Sequence, residues 1–241
     1  MRFWTPPKSK ARATYLTYNR LLNRLRPEPW PLTPAICRSY LPLAKSDSTI
    51  LTTAGALRAF IKFCRREGWL YEDIRFATPQ RDKDRPHRYL SDAEVERLLA
   101  GSGDLRLAIH LLLTGLRAAE LLSLSVSDID DGLILVKGKG SRWRYVPLPR
   151  EAIPLLPESG KLVTLPYHTL LRRLARLGVD AGIPRVHPHL FRHTFGTRAV
   201  QGLDIPTVQA VMGHASSEMS EHYAKSVYKR AAARKAARLF E

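Results

Sequence analysis

The polar stretch from Thr78 to Arg88 divides the chain into two parts. It reads Thr-Pro-Gln-Arg-Asp-Lys-Asp-Arg-Pro-His-Arg, with two prolines and no apolar periodicity. Such a composition is typical of a linker, because proline interrupts helices and nothing here forms an apolar face to pack. The sequence therefore predicts a first domain over residues 1–77, a linker over 78–88 and a second domain over 89–241.

The first part has the pattern of a small helical bundle. Two segments repeat apolar residues at the period of one helix face. These residues are Leu16, Tyr18, Leu21, Leu22 and Leu25, then Leu51, Ala54, Leu57, Phe60, Ile61 and Cys64. Between the two segments, Thr33 before Pro34 predicts the start of a helix that runs towards Leu41. Basic residues fill the other faces, as expected for helices whose apolar face packs in a core and whose outer face contacts phosphates.

The second part is predicted to be mostly helical with a small sheet. Ser91 and Glu94 form a capping box that begins a helix. Leu133–Val136 and Trp143–Val146 flank a turn with two glycines and predict a β-hairpin. Further helices are expected over residues 105–113, 167–177, 188–200, 206–212 and from 216 onward. The predicted fold class is mainly α with a small antiparallel β-sheet.

The net charge of +17 on 241 residues indicates a polyanionic partner. Each Lys or Arg that neutralises a nucleic-acid phosphate releases counterions, although ribosomal and anionic-membrane proteins share this composition. Cys37 and Cys64 have no metal-ligand spacing and are interpreted as core residues in a reducing cytosol. No apolar run approaches the ~20 residues of a membrane span, and the first residues lack a signal-peptide core. We expect a cytoplasmic protein with no membrane partner.

Several residues have the chemistry that phosphodiester cleavage needs. The non-bridging oxygens require positive charge, which arginine supplies through bidentate hydrogen bonds, and Arg117 and Arg192 are the candidates. His189 lies three residues before Arg192 in a helix that Pro188 begins, so both side chains share one face near the positive helix N-terminus. Glu120 can brace Arg117, although an Arg-x-x-Glu pair alone is typical of an exposed salt bridge.

Lys139 is the candidate proton donor for the leaving 5′-oxygen. It lies between Gly138 and Gly140, which allow a tight loop that reaches into a neighbouring site. Lysine can release its proton at need, whereas arginine cannot. Lys137, two residues earlier, is the rival, and a lone turn lysine is usually only solvated.

His189 and His193 have the i, i+4 spacing of a metal site. The residue after His189 is Leu190, so the glutamate of the metalloprotease pattern is absent. The sequence therefore predicts no metal, and His193 is expected to make a structural hydrogen bond.

The last motif pairs His214 with Tyr223, nine residues later, whereas Tyr228 stands at the wrong distance. Six residues in this order resemble the tyrosine recombinases, also called the phage integrase family. They are Arg117, Lys139, His189, Arg192, His214 and Tyr223. The resemblance covers about residues 89–225 and, loosely, the first part near Phe60 to Trp69. Met219 and Ser220 depart from it, since many relatives have two threonines there.

The resemblance implies a helical core-binding domain, a catalytic domain and a covalent mechanism. Tyr223 would attack a phosphate to give a 3′-phosphotyrosine and a free 5′-hydroxyl. Arg117 and Arg192 would hold the non-bridging oxygens and Lys139 would protonate the leaving oxygen. His189 would handle the tyrosine proton and His214 would bond to the phosphate. No metal and no other cofactor would be needed, because the phosphotyrosine conserves the bond energy.

The implied partners are a double-stranded recombination site and other copies of the chain. A compact enzyme of Xer or mobile-element type would act as a tetramer on two duplexes through a Holliday junction, with residues 224–241 as an assembly helix. Two alternatives remain at this point. One is a relaxing enzyme like the type IB topoisomerases; the other is a non-catalytic DNA-binding regulator, since residues 204–221 can be interpreted as a helix-turn-helix.

Overall fold

The computed structural model describes most of the chain after residue 46. The described residues are 17, 20, 33–39, 41, 47–68, 70, 73–78, 88–138, 142–213, 220–225, 227 and 228. The chain divides into two compact units, Met1–Lys83 and Asp84–Glu241. The domain and linker limits given above stay a prediction.

In the first unit, helix α1 spans Pro34–Ser39 and helix α2 spans Asp47–Arg66. Thr33 caps α1, because its Oγ1 accepts a hydrogen bond from the Ile36 amide at 3.2 Å. Apolar side chains from both helices and the following segment form the core of this unit; they are Cys37, Leu41, Ala54, Leu57, Ile61, Ile74 and Phe76. Most of the helix expected over residues 16–25 lies outside the described residues, so the bundle stays a prediction.

The second unit begins with helices α3, Asp92–Ala100, α4, Arg106–Leu112, and α5, Ala118–Leu121. The predicted capping box is present, since Ser91 Oγ accepts from the Glu94 amide at 3.2 Å and Glu94 accepts from the Ser91 amide at 2.9 Å. Helix α4 is buried along nearly its whole length. Short 3₁₀ segments occur at Gly103–Leu105, Val126–Asp128 and Arg150–Leu155.

Three strands form an antiparallel sheet within the described residues: β1, Ile129–Asp130, β2, Leu133–Lys137, and β3, Trp143–Pro147, in that order. The register pairs Ile134 with Val146 and Val136 with Arg144. Because side chains alternate along strands, these two pairs share the inner face. Arg144 therefore stands on the buried side of the hairpin. The predicted hairpin is confirmed.

Three further helices follow: α6, Tyr167–Asp180, α7, Pro188–Gly202, and α8, Ile205–Met212. Residues 220–225 are also helical. Helix α7 is central, with Phe191 fully buried and the Thr194 hydroxyl accepting from the Leu90 amide at 2.9 Å. Most of the predicted assembly helix, 224–241, lies outside the described residues.

Burial of large apolar side chains holds this unit together, at about 1.5–3 kcal/mol for each one. The largest fully buried ones include Phe191, Leu98, Leu111, Leu116, Leu121, Ile134 and Leu174. A mainly helical fold with a small antiparallel sheet agrees with the predicted class. Among the described residues, no helix combines the length and apolar character that a bilayer crossing requires.

Gly178 provides a test of the packing of α6. A Cβ added there would lie 2.5 Å from Val186 Cγ2 and 2.9 Å from the Ile183 carbonyl oxygen. We therefore expect Gly178→Ala to lower stability by about 1–3 kcal/mol, the usual cost of overpacking. Thermal unfolding followed by circular dichroism measures it.

Gly202→Ala is the matched control, because a Cβ at this helical glycine would meet nothing within 4 Å. Its stability should change by less than about 1 kcal/mol. Equal melting temperatures for the two variants would contradict the packing seen at Gly178.

Candidate active site

Arg117 lies at the N-terminus of α5, two residues after a turn at Gly115. Gly115 has φ 89° and its Cα faces Phe195, so a side chain there would be strained and would clash. The backbone amide of Arg117 donates to Glu120 Oε2 at 2.8 Å, and the side-chain Nη1 of Arg117 donates to Glu120 Oε1 at 2.7 Å. The predicted brace is therefore present. About 30% of the Arg117 side chain stays exposed, so part of its guanidinium faces solvent.

Glu120 is a buried carboxylate, with 7% of its side chain exposed. It also accepts hydrogen bonds from both terminal nitrogens of Arg144: Nη1 donates to Oε1 at 3.1 Å and Nη2 donates to Oε2 at 2.8 Å. Burial by itself raises the pKa of Glu120, but the hydrogen bonds from Arg144 and Arg117 outweigh it and lower the pKa. The carboxylate therefore stays charged and shared between two guanidinium groups.

Arg144 was missed by the sequence analysis. Its Nε donates to the Val211 carbonyl oxygen at 2.8 Å, and 7% of its side chain is exposed. A signal was available: the alternation of β3 places Arg144 on the same face as Val146, and a buried arginine needs an acceptor.

Arg192, on α7, is 4% exposed. It donates through Nη2 to the Met212 carbonyl oxygen at 2.7 Å and through Nη1 to the Gly115 carbonyl oxygen. Burial, with a further contribution from Arg117, lowers the pKa of Arg192 to about 10, so it is charged near pH 7. Arg192 thus joins the turn before Arg117 to the end of α8.

Tyr223 is 4% exposed and packs against α7 and α8. A Cβ added at Gly196 would lie 2.9 Å from its ring, so only glycine leaves room for this approach. Its hydroxyl is 2.9 Å from Nδ1 of His193. Burial raises the pKa of the phenol, although Arg192 and Arg117 oppose the rise.

The hydrogen bond predicted for His193 is thus present, and its partner is the phenol of Tyr223. His189 stands one turn earlier, with its ring centroid 6.4 Å from that of His193. Partial burial and the charge of Arg192 lower the pKa of His189, so its imidazole is neutral near pH 7.

Two predicted site residues, Lys139 and His214, lie outside the described residues. Their neighbours are described. Gly213 has φ 63°, and its carbonyl oxygen is 3.5 Å from Nη2 of Arg117. The two alternatives considered from the sequence are described. Lys137, the alternative to Lys139, has its Nζ 5.6 Å from the Trp143 ring centroid. Tyr228, the alternative to Tyr223, is 75% exposed. Within the described part of the chain, no three His, Cys, Asp or Glu residues group as a metal site.

The sequence is similar to those of known proteins. The sequence pattern of the phage integrase family matches residues 88–230. Tyrosine recombinase XerC of Bacillus licheniformis is 33% identical, in an alignment that covers 73% of this chain and 69% of that protein.

The chain belongs to the phage integrase family, the tyrosine recombinases. It is a site-specific DNA recombinase of the tyrosine type. This membership favours recombination over the relaxing enzyme and the regulator considered from the sequence.

Solved structures agree with that membership. The XerA recombinase is 28% identical to this recombinase, with a TM-score of 0.51 over 89% of this chain and 87% of that chain. A lambda integrase tetramer bound to a Holliday junction shares the fold, with a TM-score of 0.73 and 18% identity over 90% of this chain and 72% of that chain.

The charge shared at Glu120 predicts a pH-dependent effect of Glu120→Gln. The folded-state pKa of Glu120 is below its ordinary value of 4.5, so its stabilisation is complete above that pH and is lost as the pH falls through the folded-state pKa. We expect a loss on the order of 3 kcal/mol at pH 7 that shrinks towards pH 3. Urea unfolding at several pH values measures it.

Glu96→Gln, at an exposed position on α3, is the control and should change stability by less than about 0.5 kcal/mol at either pH. A Glu120→Gln loss that is equally large at pH 3 would show that the carboxylate charge is not its source.

Proposed function

We propose that the recombinase cuts and rejoins DNA at a site formed by Arg117, Lys139, His189, Arg192, His214 and Tyr223. One observation carries this proposal. Residues far apart in sequence, Arg117, Arg192 and Tyr223, are joined by hydrogen bonds and packing through Gly115, Met212 and Gly213. The proposed phosphate chemistry needs positive charge for the phosphate oxygens and a phenol oxygen to attack phosphorus, and both lie close together here.

In this proposal Arg117 and Arg192 hold the two non-bridging oxygens of the scissile phosphate. The exposed part of the Arg117 guanidinium offers donors to a ligand from solvent. Arg192 donates to the carbonyl oxygens of Gly115 and Met212 rather than to a carboxylate, although Glu120 offsets part of its charge. Negative charge that develops on the phosphate in the transition state would be stabilised by both.

Tyr223 is the proposed nucleophile. Its phenol oxygen would attack phosphorus while the bond to the 5′-oxygen breaks, which leaves a 3′-phosphotyrosine and a 5′-hydroxyl. Because the hydroxyl already meets Nδ1 of His193, we assign the phenol proton first to His193. The sequence-based expectation gave this proton to His189. We place His189 instead beside the phosphate with Arg192, and His214 on a phosphate oxygen.

Lys139 is the proposed donor of the proton that the leaving 5′-oxygen takes up. The 5′-hydroxyl of another strand would then attack the phosphotyrosine and release Tyr223, so that every bond broken is replaced. This exchange consumes no metal ion and no nucleotide.

Double-stranded DNA is the proposed partner, and four copies on two duplexes are the proposed assembly. The net charge of +17 supports the first proposal. So does a groove of the first unit whose lining includes one acidic residue, Asp73, and five basic residues, Arg58, Lys62, Arg65, Arg66 and Arg75. The lambda integrase tetramer on a Holliday junction supports the second. We propose residues 1–77 as the helical core-binding domain and 224–241 as the segment that docks on a neighbouring copy.

Tyr223→Phe tests the nucleophile. This variant should bind a recombination site but form no denaturant-resistant adduct with a nicked suicide substrate, because phenylalanine has no oxygen to attack. Gel electrophoresis in denaturant measures the adduct. Tyr228→Phe is the matched control and should form it at the normal rate. The assignment fails if the adduct persists in Tyr223→Phe and is lost in Tyr228→Phe.

Lys139→Ala tests the proton donor. Cleavage of ordinary DNA should slow by about 10²–10⁴-fold, the usual contribution of general acid catalysis. A substrate with sulfur as the bridging 5′ atom should restore it, because a thiolate leaves without a proton. Lys137→Ala is the control and should lose little on either substrate. If Lys139→Ala also cleaves the sulfur-containing substrate slowly, another residue is the general acid.

A further inference from the structure

Arg144 connects three segments of the site. Its Nη atoms bond to Glu120, which braces Arg117, and its Nε bonds to the carbonyl oxygen of Val211 near the end of α8. Its own backbone belongs to β3, the second strand of the hairpin. The side chain thus ties the hairpin to the start of α5 and to the end of α8.

Two glycines lie directly against this side chain. A Cβ added at Gly138 would lie 3.1 Å from Arg144 Nη1, and one added at Gly213 would lie 3.0 Å from Arg144 Cδ. Gly138 precedes Lys139, and Gly213 precedes His214. Arg144 is therefore packed against the backbone immediately before each of the two site residues that lie outside the described part of the chain.

Direct contact with DNA is not the role that this geometry favours. Unlike Arg192, which donates to carbonyl oxygens, Arg144 is bidentate on the Glu120 carboxylate and also donates through Nε to Val211. Its charge is opposed by Glu120 at 2.8 Å. A planar guanidinium held at three nitrogens is rigid, which suits it to fix the backbone that packs on it.

We propose that Arg144 is a positioning residue for cleavage: it fixes the backbone at Gly138 and Gly213 and through that backbone supports the roles proposed for Lys139 and His214. This rests on the acid role proposed for Lys139. Lysine at position 144 would keep the charge but lose the fork that spans Glu120 and Val211.

The test compares cleavage of ordinary DNA with cleavage of the substrate that has a bridging 5′ sulfur. Arg144→Lys should slow cleavage of ordinary DNA by about 10²-fold or more, as expected when a general acid is displaced. On the sulfur substrate the loss should shrink to roughly 10-fold or less. A purely structural role would lower both rates by the same factor, and that result would overturn the proposal.

Gly138→Ala is a second variant that keeps Arg144, in case Arg144→Lys does not fold. The added methyl group would press on Nη1 and displace the hairpin next to Lys139, so the same rescue by sulfur is expected. Arg142→Lys, at an exposed position of the same hairpin, is the matched control and should cleave both substrates normally. Thermal unfolding and DNA binding report whether each variant is folded.

Lys139→Ala, measured in parallel, separates this proposal from the one it rests on. If sulfur rescues Lys139→Ala but neither Arg144→Lys nor Gly138→Ala, the positioning role is overturned and the acid assignment stands. If sulfur does not rescue Lys139→Ala, the acid assignment fails. The double variant Lys139→Ala with Arg144→Lys then decides on Arg144: a loss equal to the larger single loss supports action through the hairpin, and multiplied losses refute it.

Discussion

The buried carboxylate of Glu120 is the interaction on which the site depends. It accepts hydrogen bonds from Arg117, at the start of the same helix, and from Arg144, in the hairpin. A buried charge must be compensated, and removing one partner of such a pair usually costs about 3–5 kcal/mol. One carboxylate among the guanidinium groups of Arg117, Arg144 and Arg192 leaves net positive charge. This excess of positive charge supports the proposal that the site binds a phosphate.

The buried phenol imposes a second constraint. Tyr223 is held by the close approach of Gly196 and by His193, and burial raises its pKa. A neutral phenol is a weaker nucleophile than a phenolate. The positive charges of Arg192 and Arg117 oppose this rise of the pKa and so favour the phenolate that the proposed attack needs.

Close backbone approaches link these constraints. The carbonyl oxygens of Gly115 and Met212 both accept from Arg192, and Met212 also packs in the cluster that contains Tyr223. The end of α8 therefore contacts Arg192, Arg144 and the apolar cluster that contains Tyr223. A displacement of this helix end would alter several proposed catalytic groups at once.

Local patterns in the sequence determined the capping box at Ser91, the hairpin and the Arg117–Glu120 pair, because each depends on residues a few positions apart. The same patterns revealed a hydrogen bond for His193 but not its partner, and they missed Arg144. The structure alone decided that Arg144 meets Glu120 and Val211, and that His193 meets Tyr223. These partners come from separate elements, and only the tertiary packing of α5, α7, α8 and the hairpin brings them within hydrogen-bond distance.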